Sequence, residues 1–338
     1  MPDGLDIQAI FDELGDLKNR FGPRFIIGLS GGGDSLALTH MCAYWAKQSG
    51  ADISALCIDH GFRPASQTEA NQARDWAMAF GLKAWTYINT SSAPKTGLQE
   101  FARALRHRVF AQAAMEVGGA TVLLGHTLDD QAETIAFRLA RQTGLDGLAG
   151  MARVTRDVLR YQGQRFPIAR PLLSVRRQAL RDYLRQNDLG WIEDPSNENS
   201  DFARIKIRKR LHILGGHERL ARIGASARVL RDHLDACADA FLTSHLMDKH
   251  KSVQCFNISA FHRLAPCVQK RVLYRQMSHI IGASIHISPL KQDRIVHAIS
   301  QVNFTRTTLA GILISRQKEM LWMSPAPPRH NHGKVAKL

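Results

Sequence analysis

The sequence is poor in residues that mark several protein classes. Five cysteines occur in 338 residues, and no two of them form a C-x-x-C pair. A disulfide framework or a zinc ribbon is therefore not expected, and the cysteines are interpreted as buried, reduced side chains. Aromatic residues make up only 7% of the chain, so a surface that stacks many splayed RNA bases is not indicated either.

Long apolar runs are also missing. No stretch approaches the ~20 apolar residues that a transmembrane helix needs. The first residues, MPDGLDIQAIFDELGDL, lack the basic-then-apolar layout of a secretory signal. We therefore expect a cytoplasmic protein with no membrane partner.

Acidic residues are outnumbered by basic ones. With 45 Lys and Arg against 30 Asp and Glu, the formal net charge is +15. Such an excess attracts polyanions, with nucleic acid the first candidate and an anionic membrane surface the second. Between residues 204 and 231, nine Lys or Arg accompany one acidic residue, Glu218. This run indicates an RNA-contacting surface, although a solvated helix face gives the same pattern.

Strand-like and helical segments alternate in the first part of the chain. Apolar runs predict strands at residues 25–29, 52–58, 82–88 and 121–124, with a helical pattern after each. After about residue 215 long helical runs dominate, at 220–246 and 261–281, with short strand-like pieces at 307–315 and 320–323. We predict an α/β fold with a doubly wound, mainly parallel, Rossmann-like sheet in residues 1–215. A smaller, mainly helical domain follows in 216–325, and a disordered basic tail in 326–338.

A glycine-rich turn, in IIGLSGGGDSLAL, follows the first predicted strand. It is not a P-loop, because Asp34 stands where the lysine of G-x-x-x-x-G-K-S/T belongs. It is not a G-x-G-x-x-G turn either, because Leu36 replaces the last glycine. The remaining SGGGDS still favours phosphate, since glycines let the backbone approach an anion and the amides of the next helix face it. Asp34 then fits as a Mg²⁺ ligand; the alternative is a plain turn whose Asp and Ser cap the helix.

A second polar cluster lies in LLGHTLDDQAETIAF, again between a strand and a helix. Asp129, Asp130 and Glu133 share one helical face, which suits Mg²⁺ or a base near a nucleotide. The alternative is a capping box formed by Thr127 and Asp130. His126 ends the strand and is either a substrate contact or a buried structural histidine.

Several segments resemble known motifs. SGGGDS resembles the SGG-x-DS signature of the PP-loop ATP pyrophosphatases. Six further segments resemble motifs of one branch of this family, the tRNA(Ile)-lysidine synthetases. They are GHTLDDQAET, CIDHGFRPAS, FARALRHRVF, GLDGLAGM, ARPLL and EDPSNENSDFARIKIR. The matches run in order from Phe25 to about Arg210. Four positions differ from the residues usual in this branch: His107, Gln142, Thr143 and Ile205. None of them lies in the glycine-rich loop.

The resemblance implies an activity. ATP would adenylate the C2 oxygen of the wobble cytidine in a tRNA(Ile) with a CAU anticodon, and free L-lysine would displace AMP to give lysidine. ATP and Mg²⁺ are the implied cofactors, and pyrophosphate is the first product. A homodimer through either domain is allowed.

The resemblance and the residue types together assign candidate roles. The ATP-binding candidates are Ser30, Gly31, Gly32, Gly33, Asp34, Ser35, Asp59 and His60. The catalytic candidates are Asp34, His126, Asp129, Asp130 and Glu133, with Asp34 and Asp129 as Mg²⁺ ligands. The candidates for contact with tRNA or phosphate are Arg103, Arg106, Arg204, Arg208, Arg222 and Arg228.

Two rival functions remain open. A PP-loop tRNA thiolase needs cysteines for sulfur transfer or for an iron–sulfur cluster, often as C-x-x-C, and this pair is missing. A non-catalytic RNA-binding protein on the same fold would have no use for the carboxylates at Asp34, Asp129, Asp130 and Glu133.

Overall fold

The fold is taken from a computed structural model. It describes residues 5–62, 65–91, 94, 96–193, 207, 211, 215–248, 252–283, 285 and 287–327. The predicted tRNA contacts Arg204 and Arg208 lie outside the described residues, and so does the predicted tail from residue 328 onward. The chain divides into two compact units, Met1–Thr143 with Gly147–Ala225, and Gly144–Asp146 with Ser226–Leu338. The sequence placed the boundary earlier, near residue 215.

The described residues form the following elements. The helices are α1 (Ile7–Phe21), α2 (Gly33–Ser49), α3 (Ser66–Ala79), α4 (Leu98–Glu116), α5 (Leu128–Ala140), α6 (Leu145–Leu148), α7 (Arg177–Gln186), α8 (His217–His245), α9 (Ile258–His262), α10 (Pro266–Ile281) and α11 (Pro289–Ser300). The strands are β1 (Arg24–Gly28), β2 (Asp52–Asp59), β3 (Lys83–Ile88), β4 (Thr121–Leu124), β5 (Val154–Tyr161), β6 (Gln164–Ala169), β7 (Leu246–Asp248), β8 (Gln254–Asn257), β9 (Arg306–Leu309), β10 (Ile312–Gln317) and β11 (Met320–Pro325).

The first unit is built on a six-stranded sheet in the order β3-β2-β1-β4-β6-β5. Every neighbouring pair is parallel except β5 and β6, which form an antiparallel edge. The prediction of a doubly wound, mainly parallel sheet is confirmed. The edge hairpin of β5 and β6 was not predicted, and neither was α7.

Both faces of this sheet are covered. Along β1, Phe25 and Ile27 belong to one apolar cluster and Ile26 to another on the opposite face, and all three are at most 1% exposed. This is why β1 is a continuous apolar run rather than an alternating one. Helices α1, α2 and α7 contribute to the first cluster, and α4 contributes to the second.

The second unit combines helices with a five-stranded antiparallel sheet in the order β7-β8-β11-β10-β9. Its core contains Phe256, Phe261 and Val272, each fully buried. The prediction of a mainly helical region agrees with α8 to α11, but the predicted helix 261–281 is interrupted. Pro266 occupies the first turn of α10, a position that suits a residue without an amide hydrogen.

No helix in the described part of the chain combines the length and the apolarity needed to cross a bilayer.

Candidate functional site

The loops that follow β1 and β4 meet at the middle of the first sheet. β4 lies beside β1 on one side and β2 lies on the other, so the chain leaves the two strand ends in opposite directions. Such a switch point opens a crevice at the carboxyl edge of a doubly wound sheet, which is where ligands bind. The predicted phosphate loop and the predicted acidic cluster both lie at this edge.

The loop after β1 is held by its own serines. The Ser30 N–H donates to Ser35 Oγ at 3.2 Å, the two hydroxyls lie 3.0 Å apart, and Ser35 Oγ donates to the Gly32 carbonyl at 2.9 Å. Gly32 is the N-cap of α2, and Leu36 N–H donates to its carbonyl at 3.0 Å. The backbone amides that come before Leu36 in the first turn of α2 have no acceptor within the helix. The N-terminus of α2 therefore favours an anion.

Gly31 gives the loop its shape. Its φ of +84° lies in the left-handed region, which other residues adopt at a cost. A Cβ at this position would lie 2.7 Å from Cδ1 of Ile192, whose N–H donates to the Gly31 carbonyl at 3.0 Å. Trp191 lies beside Gly33. The segment that follows α7 therefore braces the phosphate loop.

Asp130, at the start of α5, accepts hydrogen bonds from two residues, Thr127 and Arg177. The Thr127 N–H and Oγ1 both donate to Asp130 Oδ2 at 2.8 Å, which forms the capping box. The other carboxylate oxygen, Oδ1, accepts from Arg177 Nη2 at 2.6 Å. The two sequence interpretations of Asp130 are thus compatible, because one oxygen caps the helix and the other faces a cation.

Arg177 lies among the predicted acidic residues, although the sequence did not select it. Its Nε donates to Asp34 Oδ2 at 3.0 Å, its Nη2 to Asp130, and its Nη1 lies 3.6 Å from Glu133 Oε1. Its backbone N–H donates to Asp129 Oδ2 at 2.8 Å. Burial lowers the pKa of this guanidinium, but the surrounding carboxylates outweigh burial and raise the pKa above its ordinary value.

The carboxylate of Asp129 pairs with a second arginine, Arg176. Its two oxygens accept from the Arg176 guanidinium at 3.2 and 3.3 Å, and His217 Nε2 lies 3.6 Å from Oδ1. Asp129 is buried, with 8% exposure. Because these contacts engage both oxygens, the structure favours Asp34 over Asp129 as a Mg²⁺ ligand, and it gives no support to a metal site shared by the two.

The donor set at Asp34 suits a metal that is held partly by its substrate. Among the described residues, no group of three or more His, Cys, Asp or Glu side chains can hold a metal ion alone. Mg²⁺ in nucleotide sites is usually bound by one or two carboxylates together with phosphate oxygens. Asp34 lies in the first turn of α2, beside the amides that favour an anion, and so fits this pattern.

Burial shifts the titration of two groups in opposite directions. It raises the pKa of Asp34 to about 6, with Arg177 opposing the rise and Asp130 adding to it. It lowers the pKa of His126 to about 4, so this imidazole is neutral at pH 7. The Nδ1 atom of His126 is buried without a hydrogen-bond partner among the described residues.

Asp59, the last residue of β2, and His60 after it make contacts within the turn that follows the strand. Asp59 Oδ1 accepts from the Gly61 N–H at 2.8 Å and from Ser66 Oγ at 2.5 Å, and Asp59 is 5% exposed. This carboxylate therefore closes the turn after β2. His60 stacks on Phe62 with ring centroids 5.4 Å apart, and burial lowers its pKa.

Three arginines lie close enough to His126 to influence its charge: Arg103, Arg106 and Arg170. Arg103 and Arg106 lie one turn apart on α4, are exposed, and form no hydrogen bond or ion pair with the described residues. Arg170, just after β6, donates to the Ala152 carbonyl at 2.8 Å. Burial, with the charge of Arg103, lowers the pKa of Arg170 to about 10. This uncompensated positive charge favours a bound anion.

The predicted contacts Arg222 and Arg228 both lie on α8. Arg222 is exposed and Arg228 is half-buried.

The sequence and the fold of this chain are similar to those of known proteins. A family profile for the PP-loop domain matches residues 7–213. The tRNA(Ile)-lysidine synthase of Bradyrhizobium diazoefficiens is 33% identical over 366 residues, covering 97% of this chain and 95% of that protein. The tRNA(Ile)-lysidine synthase of Rhodopseudomonas palustris is 34% identical, covering 91% of this chain and 92% of that protein. A solved structure, the U34-tRNA thiolase NcsA of Methanococcus maripaludis with its 4Fe-4S cluster, aligns with a TM-score of 0.56. At 15% identity over 67% of this chain and 78% of that one, this last likeness shows the fold alone.

Proposed function

This chain belongs to the tRNA(Ile)-lysidine synthase family and carries its PP-loop domain, and we propose that it joins L-lysine to the wobble cytidine of a CAU-anticodon tRNA(Ile) with ATP as co-substrate. The observation that carries the proposal is the extent of the similarity, which spans 97% of this chain and 95% of the relative. The anion-binding loop at the switch point supports it. The enzyme class is a ligase that forms a carbon–nitrogen bond.

The proposed reaction has two steps. The C2 oxygen of cytidine attacks the α-phosphorus of ATP, the bond to the β-phosphate oxygen breaks, and pyrophosphate leaves. An amine of lysine then attacks C2, the bond to the adenylated oxygen breaks, AMP leaves, and the amine gives up a proton. Adenylation is needed because oxygen bound to C2 is otherwise a poor leaving group.

The phosphate loop would hold the triphosphate. The hydroxyls of Ser30 and Ser35 and the amides at the start of α2 are the donors, and the glycines let the backbone come close. Asp34 would hold Mg²⁺, which supplies positive charge to the departing pyrophosphate. Because the leaving group is pyrophosphate, no γ-phosphoryl group is transferred, and the loop has no need of a lysine.

The acidic start of α5 would receive the amine. Asp130 and Glu133 offer carboxylates to an ammonium group and can accept its proton. His126, neutral at pH 7, is the proposed contact to the substrate base. The predicted ATP contacts of Asp59 and His60 stay predictions, with Asp59 supporting the turn that presents His60.

Basic residues would hold the tRNA backbone. Arg103 and Arg106 are the described candidates beside His126, and the exposed Arg222 is the candidate on α8. Arg228 is half-buried, and Arg204 and Arg208 lie outside the described residues, so these three stay predictions. Binding through phosphates is charge-driven and weakens as salt rises. A homodimer also stays a prediction.

One assay tests the proposal. The protein is incubated with ATP, radiolabelled lysine and either a tRNA(Ile) or a methionine tRNA transcript, both with a CAU anticodon. Label in the tRNA(Ile) alone, with pyrophosphate release, is the expected result, and Asp34→Ala should abolish release while tRNA binding persists. Tight tRNA binding without lysine incorporation would replace the proposal with a non-catalytic RNA-binding function.

The thiolase alternative is less well supported. Sulfur transfer requires a reactive thiolate. Cys42 and Cys57 are buried, and burial raises the pKa of both thiols, that of Cys57 to about 12. Cys237 and Cys267 are more accessible, but their spacing is not that of a C-x-x-C pair.

A further inference from the structure

We infer that Arg177 is a positioning residue, which fixes Asp34 of the phosphate loop relative to Asp130 and Glu133 at the start of α5. The inference rests on the proposed function only in taking ATP with Mg²⁺ as the ligand of the loop. Arg177 was not a predicted site residue, and its role follows from where its side chain lies.

The geometry of the guanidinium is the first argument. Nε bonds Asp34 Oδ2 at 3.0 Å and Nη2 bonds Asp130 Oδ1 at 2.6 Å. One planar, rigid fork thus joins carboxylates from two helices that follow neighbouring strands. Arginine suits this task and lysine does not, because a lysine ammonium lacks donors in a fixed plane. Movement of α5 relative to α2 would break one of the two bonds.

The anchoring of Arg177 is the second argument. It is the first residue of α7, and its own N–H donates to Asp129 Oδ2 at 2.8 Å. Leu180 and Leu184 bury the inner face of α7 in the same apolar cluster as α2. The guanidinium therefore projects from a fixed point, and its side chain is only 23% exposed.

Charge is the third argument. Three carboxylates, from Asp34, Asp130 and Glu133, lie around a loop that is built for polyphosphate, and they would repel it. Arg177 supplies one positive charge that all three share, at 3.0, 2.6 and 3.6 Å. It thereby lets the acidic groups stay near the phosphates that they serve.

A double-mutant cycle tests the role. The affinity of a non-hydrolysable ATP analogue with Mg²⁺ is measured by calorimetry for the full chain, R177Q, D34N and R177Q/D34N, without tRNA or lysine. If Arg177 acts by positioning Asp34, R177Q should weaken binding about tenfold with Asp34 present, and less than about twofold in the D34N background. R24Q is the control, since Arg24 is the first residue of β1, at the opposite end of the strand from the phosphate loop, and donates to the Gly118 and Gly119 carbonyls; its affinity should equal that of the parent.

Other outcomes would overturn the inference. An equal loss in both backgrounds would mean that Arg177 acts independently of Asp34, either through the nucleotide or by offsetting the charge of Asp130 and Glu133, and no loss would mean a purely structural residue. R177K retains the charge without the fork, so full recovery of affinity in this variant would assign the effect to charge alone. R177K also serves if R177Q fails to fold. Because no lysine enters the measurement, a failure of the proposed lysine transfer leaves this result interpretable.

Discussion

Gly125 lies against the backbone of Ser35. A Cβ added at Gly125 would stand 3.0 Å from both the Cα and the N of Ser35. These are backbone atoms, so they cannot rotate aside as a flexible side chain would. The loop after β4 reaches the start of α2 only because residue 125 has no side chain.

We therefore expect Gly125→Ala to push the phosphate loop and the acidic helix start apart. Affinity for the ATP analogue with Mg²⁺ should fall at least about tenfold, because donors set for a ligand lose their geometry. Gly15→Ala is the control, since no atom lies within 4 Å of a Cβ at this position in α1. It should keep nucleotide affinity and gain roughly 0.5–1 kcal/mol of stability. Parental affinity in Gly125→Ala would contradict the close approach.

The sequence predicted the phosphate loop because the signal is local. A buried strand, three glycines and a helix follow one another within the segment IIGLSGGGDSLAL, and the structure has β1, the loop and α2 in those places. Arg177 gave no such signal, because 143 residues separate it from Asp34. Arg177 is one of three arginines in RPLLSVRRQ, and only the tertiary fold brings its side chain to the carboxylates.

The sequence also failed to predict several short strands. β7 (Leu246–Asp248) begins within the predicted helix 220–246, because three residues hold too little periodicity to compete with a long helical pattern. The β5–β6 hairpin at the sheet edge was missed as well. Its residues mix charged and apolar side chains, as in VTRDVLRY, since an edge strand need not be apolar on both faces.

Asp34→Asn should stabilise the protein while it removes activity. The raised pKa of about 6 means that the buried carboxylate is less favourable in the folded chain than in water. A neutral isostere avoids this penalty, so we expect the free energy of unfolding at pH 7, without nucleotide or Mg²⁺, to rise by about 1–3 kcal/mol. Urea denaturation measures this, and pyrophosphate release measures the loss of activity.

Asp129→Asn is the matched variant. Asp129 accepts from Arg176 and from the Arg177 N–H, and the weaker acceptor should lower stability instead. If both variants were equally destabilised, the carboxylate of Asp34 would be a structural group rather than one kept for a ligand.

The titrations of Asp34 and His126 should oppose each other in the pH dependence of stability. Asp34 has a pKa of about 6 in the folded chain against 3.8 when exposed, so its contribution is present below pH 3.8 and is lost as pH rises through 6. His126 has a pKa of about 4 against 6.5, so its contribution is present above pH 6.5 and is lost as pH falls through 4. The two changes partly cancel in the parent.

Single variants should separate the two contributions. Asp34→Asn leaves His126 alone, so unfolding free energy should drop more steeply than in the parent as pH falls from 6.5 to 4. His126→Gln leaves Asp34 alone, and its stability relative to the parent should improve over the same range. Parallel pH profiles for all three proteins would show that neither group carries the shifted pKa.

The arginine pair on α4 should contribute to tRNA affinity through phosphate contacts. Arg103 and Arg106 are exposed and form no ion pair with the described residues, so their charge is available to RNA. For R103Q/R106Q, the slope of log affinity against log salt should shrink by roughly 1.5, since each lost phosphate contact removes about 0.7–0.9. Affinity for the ATP analogue with Mg²⁺ should stay within about twofold, because Arg177 and the phosphate loop remain in place.

Arg108→Gln is the control, since Arg108 lies on the same helix, roughly 200° round from Arg106, and its salt slope should change by less than that of the double variant. A double variant with the parental slope would move the RNA backbone away from α4, and a loss confined to nucleotide affinity would assign these arginines to ATP.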